Sequence, residues 1–417
     1  MYMKTNTNNE LMCSFCRRPQ SQVRKLIAGP NVYICDACIE LGVNILAEED
    51  NSDNEKSNHN KPVPPKEMVS KLDQYVIRQE HAKKVLSNAM YDHTLRLNQN
   101  KKVKGDVEVG KSNIMLIGPS GSGKTELARA LAGILDVPFA IADATSVTEA
   151  GYVGDDVENI VLRLIQAADF NIEKAQRGII YIDEFDKLAR KSSDTPSITR
   201  DVSGEGVQQS LLKIIEGSVI SVPSKGGRKH PREDHIQIDT SDILFICGGA
   251  FDGLEEIIKQ RHNTKAIGFG NDDTKKSEKE DWLKKVSRED IRKFGIIPEI
   301  LGRLPIISTL EELDVEALEE VLTFPKNALA KQYKKRFELD GQQLIFGDGV
   351  LYMIADLAHK REGGARGLRS VMEELLNEIK FEYSSREDVD TITVSKEYVE
   401  TRSLDKLIIG LKEEQSA

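Results

Sequence analysis

The sequence predicts an α/β fold in which a parallel sheet with flanking helices is followed by a smaller, mostly helical domain and preceded by a small metal-bound head. Three observations predict it. Short apolar runs at Ile114–Ile117, Gly178–Ile182 and Ile243–Cys247 alternate with segments of helical periodicity, as in a doubly wound sheet. Beyond residue 315 the apolar residues recur mostly at helical spacing. Near the start, Cys13-x-x-Cys16 and Cys35-x-x-Cys38 are separated by 18 residues, a spacing that suits four thiolates around one tetrahedral zinc.

Bulk properties bound the reading. A chain of 417 residues suggests about two or three domains. Its net charge of −10 gives no overall basic footprint for nucleic acid. No apolar run approaches the ~18–20 residues of a membrane-spanning helix. The opening MYMKTNTNNE lacks the apolar core of a secretory signal, so a cytoplasmic location is expected.

The elements follow in order. Residues 1–10 read as disordered, and 11–47 as the zinc module, ending in a short helix (Ile39, Leu41, Val43, Ile45, Leu46). Two disulfides or a redox pair are the alternatives for the four cysteines; a reducing compartment disfavours the first, and the duplicated pair argues against the second. So small a segment builds little core, and the metal would supply its folding energy. Residues 48–65 are acidic, Asn-rich and then Pro-rich, the composition of a tether. Residues 66–314 form the large domain. Ala82, Leu86, Met90, His93 and Leu97 mark a helix face, with His93 read as a core-edge residue. Strands are expected at Ile114–Ile117, Pro138–Ala142, Gly178–Ile182 and Ile243–Cys247, with Cys247 buried. Helical stripes run through Val157–Ala168 and Val207–Ile215, and Ser218–Pro223 with His235–Ile238 reads as a hairpin around a basic loop. The small domain, 315–410, has helices at Val315–Leu329, Val350–His359 and Gly367–Tyr383 and a strand at Thr391–Ser395, before a tail at 411–417.

Two motifs carry chemistry. Gly118-Pro119-Ser120-Gly121-Ser122-Gly123-Lys124-Thr125 lies between an apolar strand and a helical segment, the setting of a P-loop. Glycines there let backbone N–H groups turn inward around phosphate oxygens, and the helix N-terminus adds positive potential. Lys124 would reach the β- and γ-phosphates, and Thr125 would ligate Mg²⁺. The apolar strand Ile179–Ile182 ends in Asp183-Glu184: Asp183 is placed to hold Mg²⁺ and Glu184 to polarise the attacking water. The chain is therefore expected to bind ATP, Mg²⁺ and Zn²⁺.

Together the glycine loop, the Asp-Glu strand and the trailing helical domain resemble the AAA+ P-loop NTPases. The tetra-cysteine head, Gly151-Tyr152-Val153-Gly154, Ile267-Gly268-Phe269 and Gly364-Ala365-Arg366-Gly367-Leu368-Arg369 resemble the ClpX family of unfoldases within them, over residues 11–410. That resemblance implies a homohexamer that recognises tagged or unfolded proteins, takes adaptors, pulls substrates through a pore and feeds the ClpP peptidase. It also implies residue roles. Tyr152 and Val153 would grip substrate in the pore, helped by a second loop at Arg200–Gly206 and by Arg228, Lys229 and His230 at the pore mouth. Ile267, Gly268 and Phe269 would dock on ClpP, and the chain has no Gly-x-Ser-x-Gly or His-Glu-x-x-His of its own. Arg303 matches an arginine finger reaching a neighbour's nucleotide, Arg366 a sensor arginine, and Val76-Ile77 the adenine-side segment. Arg78 stands where the family usually has glycine, and the strand Ile243–Cys247 offers no polar sensor at its end. A nucleic-acid motor and a zinc-tethered, ATP-switched scaffold are the alternatives.

Overall fold

The computed structural model describes residues 11–30, 32–43, 62–99, 109–148, 156–189, 204–223, 235–265, 281–361 and 363–412. The chain divides into two compact units, residues 1–62 and 63–417. In the first, β1 (Leu26–Gly29) and β2 (Val32–Cys35) form an antiparallel hairpin, and a helix begins at residue 36. The turn after Cys13 is tied to the hairpin through Ser14, whose amide donates to the Tyr33 carbonyl at 2.7 Å and whose hydroxyl accepts from the Tyr33 amide at 3.0 Å. Both cysteine pairs are thereby drawn to one point.

The second unit is built on a five-stranded, wholly parallel sheet. Its strands are β3 (Ile114–Ile117), β4 (Phe139–Asp143), β5 (Ile179–Asp183), β8 (Leu244–Gly249) and β9 (Ile306–Thr309), in the order β4-β5-β8-β3-β9. Continuous apolar runs are expected where helices cover both faces, and every residue of β3 and β8 is buried. Strand residues alternate between two cores. Met115, Ile117, Ile180, Ile182, Phe245 and Cys247 pack with the helices Glu158–Ala167 and Glu205–Glu216. Ile114, Leu116, Ile179, Tyr181, Leu244 and Ile246 pack with the helices Glu80–Gln99 and Lys124–Leu135. Cys247 is buried, which pushes its thiol up. His93 lies deeper than the core-edge position expected of it: it is 5% exposed, and desolvation pushes its imidazole down to about 3, so it sits neutral. The hairpin β6 (Val219–Pro223) and β7 (His235–Asp239) pairs antiparallel as expected.

A third apolar cluster gathers residues from Leu313 to Leu407. It joins helices at Val315–Thr323, Leu329–Leu339, Val350–Lys360 and Gly364–Tyr383 to a sheet of β10 (Gln343–Phe346), β11 (Val389–Val394) and β12 (Ile408–Leu411). The single helix expected over Val315–Leu329 is two. Proline lacks an N–H and restricts the residue before it, so the first helix stops at Thr323, just ahead of Phe324-Pro325. Ser395 does not extend β11; its hydroxyl caps the next helix by accepting from the Tyr398 amide at 3.1 Å. Among the described residues no helix is long and apolar enough to cross a membrane.

Candidate functional site

The glycine loop leaves the carboxyl end of β3, where open α/β sheets hold their ligands. Gly121 and Gly123 have φ of +76° and +97°, the left-handed region where a side chain is strained. Gly118 is glycine for a different reason: a Cβ there would lie 2.7 Å from the Leu310 carbonyl oxygen. The helix Lys124–Leu135 starts directly behind, its free N–H groups facing the loop. Lys124 folds back into the loop, its Nζ donating to the Gly118 and Pro119 carbonyls at 2.6 and 2.8 Å. Burial pushes its ammonium down to about 8, against the pull of Asp183 and with a further push from Arg366.

Asp183, the last residue of β5, is the meeting point of the site. Its Oδ2 accepts from the Thr125 hydroxyl at 3.2 Å, and its Oδ1 from the Tyr181 hydroxyl at 3.2 Å and the Glu184 amide at 3.1 Å. The Arg366 guanidinium, on the helix Gly364–Tyr383, lies 3.7 Å from Oδ2. Glu184 is exposed and left-handed at φ +53°, a conformation that costs a non-glycine residue roughly 1–2 kcal/mol. It begins a tight turn over Phe185–Leu188. Gly248, near the end of β8, leaves room for the Tyr181 hydroxyl, which a Cβ would strike. That explains why a small residue ends this strand where the sequence offered no polar sensor.

The helical region closes onto the loop. The Ala365 amide donates to the Gly121 carbonyl at 3.2 Å, and Gly364, at φ +51°, sits where a Cβ would lie 3.0 Å from the Ser120 carbonyl oxygen. Between Pro119–Ser122, Glu312, Leu313, His359 and Gly364 lies a cavity of about 90 Å³. A larger surface concavity of about 590 Å³, on Glu373, Glu374, Asn377, Glu378 and Phe381, includes none of these groups. The donor set suits a magnesium nucleotide. A hydroxyl and a carboxylate oxygen stand together at Thr125 and Asp183, and the buried Ser122 hydroxyl has no protein partner.

Val76 is buried beside the loop, its Cγ1 4.0 Å from where a Gly123 Cβ would be, and Ile77 is partly buried. Two neighbours carry contacts that the sequence did not disclose. Gln79 is buried and hydrogen-bonded to the phosphate loop, and Arg78 is paired with Glu320. Arg303 belongs to another cluster. Its Nε donates to Glu216 Oε1 at 2.8 Å, and its carbonyl accepts from buried Asn113 at 3.0 Å. Gly151–Gly154 with Tyr152 and Val153, Arg228, Lys229, His230, and Ile267, Gly268 and Phe269 lie outside the described residues; so does the second pore-loop segment up to Ser203.

In the first unit the sulfurs of Cys13, Cys16, Cys35 and Cys38 all lie within 4.8 Å of one another. The Cys13–Cys38 and Cys16–Cys35 separations are 3.9 and 3.6 Å, close to the ~3.8 Å edge of a tetrahedron with Zn–S bonds of about 2.3 Å. A disulfide would bring them to ~2.05 Å. Backbone N–H groups, that of Cys16 foremost, pull the Cys13 thiol down to about 6, favouring the thiolate that a metal binds. Hydrogen bonding with the Cys35 and Cys16 sulfurs pushes Cys38 up to about 12.

Two families match this chain. Residues 11–48 match the ClpX C4-type zinc finger, and residues 110–307 match the AAA domain of the Cdc48 subfamily. The AAA match covers four strands of the parallel sheet and the first half of β9, and the zinc-finger match covers the four clustered cysteines. An AAA domain behind a four-cysteine zinc finger of this kind fits a ClpX-like AAA+ protein.

Proposed function

We propose that this protein is an ATP-dependent unfoldase and translocase that works as a homohexamer, recognises tagged substrates directly or through adaptors, and threads them into the ClpP peptidase in the cytoplasm. One observation carries the reading: Asp183 is shared by Thr125 of the phosphate loop and Arg366 of the helical domain. A nucleotide site assembled from both parts is one whose chemistry depends on their relative angle. The cavity of about 90 Å³ is well below the ~300–1,000 Å³ of ligand sites, so admitting ATP would require the helical domain to draw back from Gly121.

In this reading Gly118–Thr125 hold the phosphates, with Val76 and Ile77 on the adenine side. Lys124 exchanges its carbonyl partners for phosphate oxygens, and Thr125 and Asp183 hold Mg²⁺, which supplies charge neutralisation at the phosphates. Glu184 accepts a proton from the attacking water, Arg366 meets the γ-phosphate within its own subunit, and Arg303 reaches a neighbour's nucleotide after leaving Glu216. Each turnover changes the angle between the domains and moves Tyr152 and Val153 along the pore, past the basic residues Arg228, Lys229 and His230. Repeated pulls act on substrate domains held by only ~5–15 kcal/mol. Ile267, Gly268 and Phe269 dock on ClpP, and the zinc finger, with Zn²⁺ on its four thiolates, recruits substrates or adaptors.

The test combines the chain with ClpP, ATP and a stable degron-tagged fluorescent protein. Fluorescence should fall in an ATP-dependent manner, and Phe269→Ala should spare ATPase activity while uncoupling degradation. Persistent fluorescence, with strong ATPase activity and intact ClpP association, contradicts the reading.

A further inference from the structure

We propose that Arg78 and Gln79 form a two-residue strap that couples the phosphate loop to the helical domain, so that the state of the nucleotide site is relayed across residues 310–314, which link the two. The proposal rests on the nucleotide site described above and assigns the residues that convert its state into a domain angle.

Arg78 and Gln79 are consecutive non-glycine residues in the left-handed region, at φ +56° and +65°. Such a pair persists only where the surroundings over-determine it. Here the reversed backbone serves opposite partners on its two sides. Gln79 turns inward and is 3% exposed. Its Nε2 donates to the Ser122 carbonyl at 3.2 Å and the Glu311 carbonyl at 2.8 Å, while its Oε1 accepts from the Glu311 amide at 2.9 Å. A carboxamide offers two donors and an acceptor, and all are used. Moving the phosphate loop relative to residue 311 would strand buried polar groups, so the two shift together.

Arg78 turns outward. Its Nε and a terminal nitrogen donate to the two carboxylate oxygens of Glu320 at 3.3 and 3.2 Å, a planar fork on a planar acceptor. Glu320 lies on the helix Val315–Thr323, whose N-terminus Asp314 caps. The seam is reinforced beside it: the Lys326 amide donates to the Gln74 carbonyl at 2.9 Å, and its ammonium sits 5.6 Å from the Tyr75 ring centre. One strap thus grips the phosphate loop with its inner arm and the helical domain with its outer arm. The arms differ in kind. The inner is buried and neutral, whereas the outer is half-exposed and ionic, and salt weakens only the second.

Hydrogen exchange of the full chain, with and without ADP and Mg²⁺, tests this. In the parent, ADP should change exchange at 118–125 and at 311–323 together. Arg78→Gly removes the outer arm without strain, because glycine adopts φ +56° freely. It should keep the response at 118–125 and cut the response at 315–323 by about threefold or more, as should raising salt to about 0.5 M for the parent. Gln79→Glu turns two donors into acceptors facing carbonyls. It should leave ADP affinity within about threefold while lowering kcat about tenfold or more, a split that a merely structural residue would not produce. The strap is refuted if Arg78→Gly keeps the full response at 315–323. It is equally refuted if Gln79→Glu loses affinity and turnover by the same factor. A parent responding at 118–125 alone overturns the strap and spares the nucleotide site; a parent responding at neither overturns both.

Discussion

The zinc finger and the ATPase core reach order by opposite means. Among the described residues of the first unit only Cys13 and Cys35 are buried, while Phe15, Leu41 and Val43 are exposed. Its described apolar residues do not build a core, and four thiolates take that place. In the second unit β3 and β8 are buried throughout and two apolar layers cover the sheet. A metal-held module depends on ligand chemistry, whereas a core-held one depends on packing. The same division separates the two candidate sites: thiolates hold the finger together, while the packed sheet holds Asp183 and the Gly118–Thr125 loop in place at the carboxyl ends of its strands.

Four perturbations sharpen or break this contrast, in falling order of effect. Chelation at neutral pH should remove the ~10–16 kcal/mol that structural zinc supplies and unfold residues 11–43, read as loss of local exchange protection, while the thermal transition of the second unit stays put. Collapse of both units together would break the contrast. Glu184→Gln should lower ATP turnover by about 10²–10⁴-fold with bound zinc and nucleotide affinity kept. Leu116→Ala, in the fully buried β3, should cost about 2–5 kcal/mol in denaturant unfolding of the second unit and leave metal content unchanged. The smallest effect is a pH response of opposite sign in the two regions. Lys124 is held down to about 8, and its charged form is the one that meets phosphate, so ATP affinity should fall about tenfold from pH 7 to pH 9. Zinc binding releases protons and should strengthen over the same range. ATP titrations at both pH values check the first sign, and competition with a metal indicator checks the second.

What the sequence disclosed is what lies close together along the chain. Gly118–Thr125, Asp183-Glu184 and the two cysteine pairs are local patterns, and the structure gathers the first two at the carboxyl ends of interior strands and the four sulfurs at one point. What it hid depends on distance. Gln79 meets Ser122 and Glu311, 43 and 232 positions away, and no periodicity marks such a contact. Asn113 looks like an ordinary polar residue before a strand, yet its amide bonds the Ile215 and Arg303 carbonyls and accepts from the Phe245 amide. The edge strand β9 escaped notice because Ile306–Thr309 is four residues long, with only Ser308 buried. Pro325, by contrast, was a visible stop signal inside a stretch read as one helix.

The central claim is that hydrolysis at the Asp183–Arg366 site drives a tyrosine along a pore. The most direct test is the rate at which ClpP-bound Tyr152→Ala unfolds a tagged fluorescent protein, measured beside its ATPase rate. The account predicts continued hydrolysis with unfolding reduced at least about tenfold. Unfolding at the parental rate, with hydrolysis intact, would contradict it.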